Sequence, residues 1–183
     1  GDRKMKTILV LLLLASTSAF AAEAVKYKSV EGEEISSKTD PFHGPMASKK
    51  ADLSVGAGLD FFDSFGLQAR YAHRFLDEGF IENVSDAIYF EGGMGVTFYG
   101  NNMSGFNLLA TARWDFQYDP KWILFADIGF GFNAISGGGN HDVTGGGFFP
   151  AIGSGVIYNF NEDNGARFDL SYQFLGLSYV KRF

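Results

Sequence analysis

From residue 51 onward, apolar and polar side chains alternate one by one along most of the chain. In residues 51–61, Leu53 and Leu59 fall on one side, and Asp52 and Asp60 fall on the other. Successive side chains of an extended strand point to opposite faces, so a period of two predicts a strand and not a helix. The pattern recurs in residues 65–75, 88–99, 106–118, 122–133, 148–160 and 166–174. The chain is therefore predicted to be all-β.

The breaks between these runs carry the residues of tight turns. Asp63-Ser64, Asn101-Asn102 and residues 119–121 and 161–165 are short and polar, as turn chemistry requires. Two breaks are longer, residues 76–86 and 137–146. Short connections between consecutive strands indicate antiparallel hairpins.

A soluble sandwich and a membrane barrel both produce alternation, and the length and charge of the runs distinguish them. Many runs reach roughly 10–14 residues, which suits tilted strands that cross a bilayer. The apolar face carries almost no polar atom, whereas the opposite face carries charges of both signs. We predict an antiparallel up-and-down transmembrane β-barrel with a filled polar lumen. The predicted lumenal charge network comprises Asp52, Asp60, Arg70, Arg74, Glu91, Arg113, Asp115, Asp127, Arg167 and Asp169.

Glycine occupies the polar face in pairs. There are 24 glycines in the chain, and the pairs are Gly56/Gly58, Gly93/Gly95, Gly129/Gly131 and Gly153/Gly155. We expect them to leave room inside the lumen for aromatic side chains and arginines. A nucleotide-binding glycine motif is disfavoured because no pair opens a helix.

The strand count leaves one question open. Seven runs are clear, and single-chain barrels of this kind use an even number of strands, so eight are expected. A turn at Leu175-Gly176 would make residues 177–183 the eighth strand, and segment 137–146 would then face outside. Alternatively, a bulge lies there and the extra strand is near residues 24–30, in which case that segment faces the periplasm.

The amino-terminal segment has the features of an export signal. Met5 is read as the start, Lys6 supplies a positive charge, residues 8–15 are apolar, and Ala19-Phe20-Ala21 is a small-x-small cleavage site. The apolar run is shorter than the ~20 residues of a transmembrane helix. Residues 1–21 are therefore predicted to be a cleaved signal peptide with an extension, residues 22–50 a polar leader, long loop or first strand, and residues 51–183 the barrel.

Composition excludes several classes of protein. The absence of Cys excludes a disulfide scaffold and a thiolate site. The net charge of -6 argues against nucleic acid as a partner. No catalytic, cofactor or metal residues are predicted. His73 on the apolar face could belong to a hydrolase site, but an interfacial histidine is the favoured interpretation. Asn140, His141 and Asp142 could hold a metal ion, but a mobile loop is the favoured interpretation.

An export signal, alternating strands and a terminal Phe183 together resemble the small bacterial outer-membrane β-barrels of the OmpA/OmpX-like kind. The resemblance implies a Gram-negative outer membrane, with its lipids as surroundings. It also implies that the barrel-assembly machinery reads Phe183 together with Tyr179 and Leu177, although Lys181 departs from the pattern. The function it implies is structural or envelope-organising, through loops or self-association. The alternatives are a narrow, porin-like channel and, as a minor one, a lipid-modifying enzyme.

Two sets of residues are predicted on the lipid-facing side. Trp114, Tyr118 and Trp122 cluster at one hairpin end and suit an interfacial aromatic girdle, with ordinary cross-strand packing as the alternative. Small side chains would let two barrels pack into a homo-oligomer, or would simply fill the space between larger neighbours. These are Ala57, Ala69, Gly92, Ala110, Ala112 and Ala126.

Overall fold

The structure is a computed structural model, and it describes residues 42, 48–60, 64–77, 79–82, 84–99, 102–137, 145–171 and 174–183. These residues form eight strands that close into one barrel, in which every strand pairs with its neighbours in chain order. The strands are β1 (Ala51–Asp60), β2 (Ser64–Leu76), β3 (Asp86–Tyr99), β4 (Met103–Gln117), β5 (Trp122–Gly137), β6 (Gly145–Asn159), β7 (Asn164–Ser171) and β8 (Phe174–Arg182).

The barrel closes because β1 pairs antiparallel with both β2 and β8. The prediction of an antiparallel barrel with eight strands is confirmed, and the eighth strand is carboxy-terminal. The predicted turn at Leu175-Gly176 is wrong, since both residues lie within β8 and pair with β1. The chain reverses three residues earlier, between Ser171 and Phe174, and this reversal is the phase change visible in the sequence. Phe174 accordingly lies inside the barrel and not on the lipid face.

The two ends of the barrel differ. The terminal end holds the start of β1, the end of β8 and the connections 77–85, 118–121 and 160–163. The loop end holds the connections 61–63, 100–102, 138–144 and 172–173, which are two to seven residues long. Segment 137–146 is thus on the loop end, opposite the termini, as the carboxy-terminal eighth strand requires.

The wall is taller on one side than on the other. β5 has 16 residues and β6 has 15, whereas β7 has 8 and β8 has 9. In the described part of the chain, β6 pairs with β7 only from Gly153 to Asn159. Pro150 lies beyond that ladder, so its missing N–H removes no bond to β7. We call the gap beside residues 145–152 of β6 the notch.

The alternation places two different surfaces on the two faces of the wall. Outward side chains such as Phe148, Phe75 and Phe130 are 84%, 75% and 72% exposed. Inward groups such as Arg167 are fully enclosed. A continuous apolar exterior around a polar interior is stable in lipid, because hydrocarbon solvates the outer face while the closed ladder satisfies the backbone.

Among the residues described here, no helix is both long and apolar enough to cross a bilayer. The predicted signal peptide, residues 1–21, lies outside the described residues. Of residues 22–50, only Phe42 and residues 48–50 are described. These boundaries stay predictions.

Candidate functional site in the barrel lumen

The centre of the lumen is filled by ion pairs that join separate strands. Arg113 on β4 donates to Asp52 Oδ2 on β1 at 2.6 Å, to Glu91 Oε2 on β3 at 2.8 Å and to Asp115 Oδ1 at 2.8 Å. The Arg113 side chain is 1% exposed. One guanidinium group therefore connects three carboxylates from three strands, and the fork geometry of arginine suits this arrangement.

Glu91 is the carboxylate on which the network converges. Arg167 on β7 donates to its Oε2 at 2.5 Å and to its Oε1 at 3.1 Å. Arg70 on β2 donates to Oε1 at 3.1 Å, and Arg113 completes the set. Since Glu91 is 2% exposed, three guanidinium groups replace its lost hydration. A buried carboxylate is tolerated only when paired in this way.

The remaining predicted charges extend this network towards both ends. Asp169 accepts from Arg167 at 2.8 Å, and Asp127 lies 4.0 Å from the same guanidinium. Arg74, near the terminal end, donates to Tyr89 Oη at 2.9 Å and to the carbonyl of Lys49 at 3.0 Å. Nine of the ten predicted lumenal charges are thus buried inside the barrel. The side chain of Asp60 lies outside the described residues.

Two aromatic rings separate the arginines of the network. Tyr89 lies 4.5 Å from the Arg113 guanidinium carbon, and Phe125 lies 4.5 Å from that of Arg167. Phe125 faces Gly155 directly across the β5–β6 ladder, where a Cβ would overlap its ring. The glycine therefore provides space that an aromatic side chain occupies, as predicted from the lumenal glycine pairs. The rings shield the guanidinium faces from water and add cation–π attraction.

Sequence reasoning missed a lumenal charge. Arg182 is 5% exposed and belongs to the buried polar interior. Asp86 is also buried, but it lies on the outer face opposite Phe116, where it accepts a hydrogen bond from Trp114 Nε1 at 2.6 Å. The alternation of Ser178, Val180 and Arg182 was a sufficient signal for Arg182, once β8 is started at Phe174.

An exposed ion pair lies outside the strands at the terminal end. Lys50 Nζ lies 3.1 Å from Asp77 Oδ2. This hydrogen bond lowers the pKa of the Asp77 carboxyl below its ordinary value, with the Lys50 and Arg74 charges acting in the same direction. Because both side chains are exposed, water and salt screen this pair, unlike the pairs inside the lumen.

The residues predicted on the lipid side occupy the outer face of the wall. Trp114 packs against Phe116 with ring centroids 4.9 Å apart, and Trp122 packs against Tyr158 at 4.6 Å. Tyr118 contacts Phe42 at 5.3 Å. These rings form a cluster at the terminal end. Within this cluster the rings pack against one another across the strands, and the interfacial girdle stays a prediction.

The small outward residues are not all neighbours. Gly92 and Ala110 are directly paired across β3 and β4, and Ala112 follows on the same face. A Cβ at Gly92 would meet nothing within 4 Å. These three residues form a shallow depression, which we call the small-residue patch. Ala57, Ala69 and Ala126 lie on other strand pairs.

The predicted carboxy-terminal signal residues share the outer face. Leu177, Tyr179 and Phe183 are 63%, 52% and 57% exposed. Lys181 lies on the same side and its Nζ is 3.6 Å from Asp163 Oδ2 near the terminal end. Val180 is fully buried because it points into the lumen.

His73 lies on the outer face and pairs with Ala51 on β1 and Phe90 on β3. Neither of these partners can orient or activate an imidazole, which a hydrolytic triad requires. His43, Asn140, His141 and Asp142 lie outside the described residues. Within the described ranges, no group of three His, Asp or Glu side chains is arranged to hold a metal ion.

Comparison with solved structures identifies the architecture. The N-terminal β-barrel domain of Pseudomonas aeruginosa OprF matches 74% of this chain and 98% of its own, at 15% identity and a TM-score of 0.57. The chain has the fold of the small outer-membrane β-barrels. The attachment invasion locus protein Ail of Yersinia pestis, solved with the heparin analogue sucrose octasulfate, matches 74% of this chain and 99% of its own, at 14% identity and a TM-score of 0.53.

A de novo designed transmembrane β-barrel shares this small outer-membrane barrel fold, at 8% identity, with 74% of this chain and 96% of its own covered and a TM-score of 0.51. No protein-family model matches the chain, and a search of curated protein sequences finds no match. Identities this low establish the fold alone. The role of the barrel has to be argued from its own residues.

Proposed function

We propose that this chain is a non-conducting outer-membrane barrel that serves as a structural, envelope-organising component. The observation that carries the proposal is the bridge between Glu91 on β3 and Arg167 on β7. With eight strands in order, β3 and β7 are on opposite walls. Their side chains meet in mid-lumen, and the rings of Tyr89 and Phe125 lie beside the arginines of the network.

The exterior of the barrel supports a function that depends on the outer wall more than one that depends on the loops. The loop-end connections are two to seven residues long, which leaves little chain to build a binding surface. The outer face instead offers the small-residue patch of Gly92, Ala110 and Ala112, bordered by the large exposed side chains of Phe90 and Phe130. Close backbone approach at such patches favours association in lipid. We propose barrel-to-barrel contact at this patch.

Electrical recording tests the sealed lumen. The purified chain is reconstituted into planar lipid bilayers and its current is recorded in concentrated KCl. Wild type is expected to give no discrete conductance steps. The variant Arg113→Ala, which removes the connection between Asp52, Glu91 and Asp115, is expected to give steps or an increased leak. Discrete steps in wild type would contradict the proposal, and their alteration by Arg113→Ala would favour a narrow channel.

Crosslinking tests the contact between barrels. An amine-independent photocrosslinker in lipid is expected to trap dimers or larger rings of wild type. Ala110→Trp fills the small-residue patch and is expected to lower the crosslinked fraction severalfold. Ala57→Trp is the matched control, since Ala57 is also outward but lies on β1, away from the patch. Equal crosslinking of both variants and wild type would contradict contact at the patch.

One observation favours the channel as a second candidate. A cavity occupies the lumen between the charge network and the loop end. In the described part of the chain, the network and the buried side chains of Ile123, Ile157 and Val180 separate it from the terminal end. The lipid-modifying alternative has less support, because the described partners of His73 are Ala51 and Phe90. Expression of the chain is expected to leave the mass of lipid A unchanged, and a new lipid A species that depends on His73 would support an enzyme.

A further inference from the structure

The lumenal cavity has a volume of about 340 Å³. An apolar belt of Leu109, Phe149 and Phe174 lines its middle, and Thr111 and Asp127 line the side next to the charge network. The cavity reaches the wall at Pro150 and Ile152, beside the notch. Its size and its mixture of apolar walls with a few polar groups are those of a small-molecule site.

Two polar atoms at this cavity lack hydrogen-bond partners among the described residues. Thr111 is 3% exposed, and no group in the described part of the chain bonds to its Oγ1. Gln68 Nε2 is likewise buried with no partner in those ranges, although its Oε1 accepts from Arg70. A buried polar group without a partner costs free energy. A ligand that donates a hydrogen bond to Thr111 Oγ1 would relieve the cost at that atom.

The charge that faces this space is negative. Asp127 is 9% exposed, and its one ion-pair contact within the described residues is with Arg167 Nη2 at 4.0 Å, the limit for such a pair. Its carboxylate oxygens lie against Gly153, where a Cβ would be 3.0 Å from Oδ1. The glycine lets the carboxylate lie beside the wall, clear of the centre of the network.

The arginine at the same cavity offers no comparable attraction for an anion. Arg70 Nε and Nη2 donate to Gln68 Oε1, and Nη1 donates to Glu91 Oε1. Among the buried charged side chains that point into the described part of the lumen, five are carboxylic acids and five are arginines. The acids are Asp52, Glu91, Asp115, Asp127 and Asp169, and the arginines are Arg70, Arg74, Arg113, Arg167 and Arg182. The lumenal charges therefore balance in number, and Asp127 is the acid among the residues that line the cavity.

We propose that this cavity binds a small organic amine in its ammonium form. The ammonium group donates to the Asp127 carboxylate and to Thr111 Oγ1, and a compact aromatic or aliphatic body packs against Leu109, Phe149 and Phe174. An ammonium ion supplies both the charge and the donors that the carboxylate lacks. The aromatic walls add cation–π attraction. This site is separate from the sealing of the lumen and from the contact between barrels.

Three probes of one shape test the proposal: benzylamine, benzyl alcohol and benzoate. Binding to the full chain in detergent micelles is followed by NMR chemical shifts of isotope-labelled protein. Benzylamine is expected to bind about tenfold or more tightly than benzoate, because a charge-assisted hydrogen bond replaces a repulsion. Asp127→Asn is expected to weaken benzylamine by about tenfold and to leave benzyl alcohol nearly unchanged.

Two further variants distinguish the cavity from the micelle and from a folding defect. Leu109→Trp fills the apolar belt and is expected to abolish the binding of both benzylamine and benzyl alcohol. Asp77→Asn removes an exposed carboxylate at the terminal end and is expected to change neither. Each variant is first shown to be folded by circular dichroism. Equal binding of benzoate and benzylamine to wild type, or benzylamine shifts that survive Leu109→Trp, would overturn the proposal.

Discussion

Phe149 on β6 covers Gly131, the residue directly opposite it on β5. A Cβ at Gly131 would overlap the ring. The same relationship holds between Phe125 and Gly155, so two lumenal aromatic rings each lie on a cross-strand glycine. The wall of this barrel is therefore packed from within, ring against backbone.

Because of this packing, the lumenal Gly131 and the outward Gly92 are expected to respond differently to substitution. Gly131→Ala is expected to lower the free energy of unfolding by about 1–3 kcal/mol, because the Phe149 ring must move. Gly92→Ala is the matched control, since a Cβ there meets nothing within 4 Å. Urea unfolding in lipid vesicles, followed by the fluorescence of Trp114 and Trp122, measures both. Equal effects of the two substitutions would show that the lumenal ring tolerates a side chain beneath it.

Removal of the charge at the centre of the network is expected to destabilise the barrel strongly. Glu91→Gln leaves Arg70, Arg113 and Arg167 buried around a neutral amide. The expected loss is about 3–5 kcal/mol, the range seen when one partner of a buried ion pair is removed. The same unfolding assay measures it.

Asp77→Asn is the control for Glu91→Gln, since it also neutralises one acid. Its ion pair with Lys50 is exposed at the terminal end. We expect little change in stability from that substitution. If Glu91→Gln were no more harmful than Asp77→Asn, water would have to reach the network and solvate the arginines.

A charge on the outer face is expected to cost more at mid-height than at the terminal end. Phe168 lies in the middle of β7 and is 43% exposed, whereas Phe160 follows the end of β6 and is 58% exposed. Phe168→Arg is expected to cost about 2–4 kcal/mol and Phe160→Arg about 0–1 kcal/mol, because the penalty depends on depth in the bilayer. Folding into vesicles at graded urea concentrations measures both, and equal costs would contradict the membrane orientation.

The absence of cysteine permits a clean test of which end faces outward. Gly145→Cys places a thiol at the loop end, where a Cβ meets no atom within 4 Å. Glu162→Cys places one in the turn at the terminal end. In intact cells, an impermeant maleimide is expected to label the thiol at 145, and the thiol at 162 only after permeabilisation. The opposite pattern would mean that the termini lie outside the cell.

The alternation of side chains was sufficient to predict the fold and the lumenal position of most charges. Asp52, Glu91 and Arg167 point inward because each lies on the polar side of a strand whose other side is apolar. The period of two fixes which face each side chain occupies, because a shift of one residue would place every charged side chain on the lipid-facing side. The prediction failed only where the chain turns, at Phe174, because a run read through a turn keeps the wrong phase.

The partners within the network could not be read from the sequence. Glu91 and Arg167 are 76 residues apart, and their contact depends on the closure of the barrel and on the relative heights of β3 and β7. The cavity, too, depends on how strands that are far apart in the sequence come together in the closed barrel. It exists because Gly95 and the short strands β7 and β8 leave space that Leu109 and Phe149 do not fill, and no local pattern encodes the sum of those volumes.

Because β5 and β6 are longer than β7 and β8, the wall of the barrel is taller on the β5–β6 side. At about 3.3 Å per residue, β5 and β6 continue well past the height at which β7 stops, and hydrocarbon does not tolerate a bare strand edge. The stretch of β6 that has no β7 partner among the described residues then belongs above the acyl chains, among headgroups and water. A solute that approaches from the loop end therefore meets a tall wall at β5 and β6 and a low wall at β7. The low wall gives access to the lumenal cavity beside Asp127.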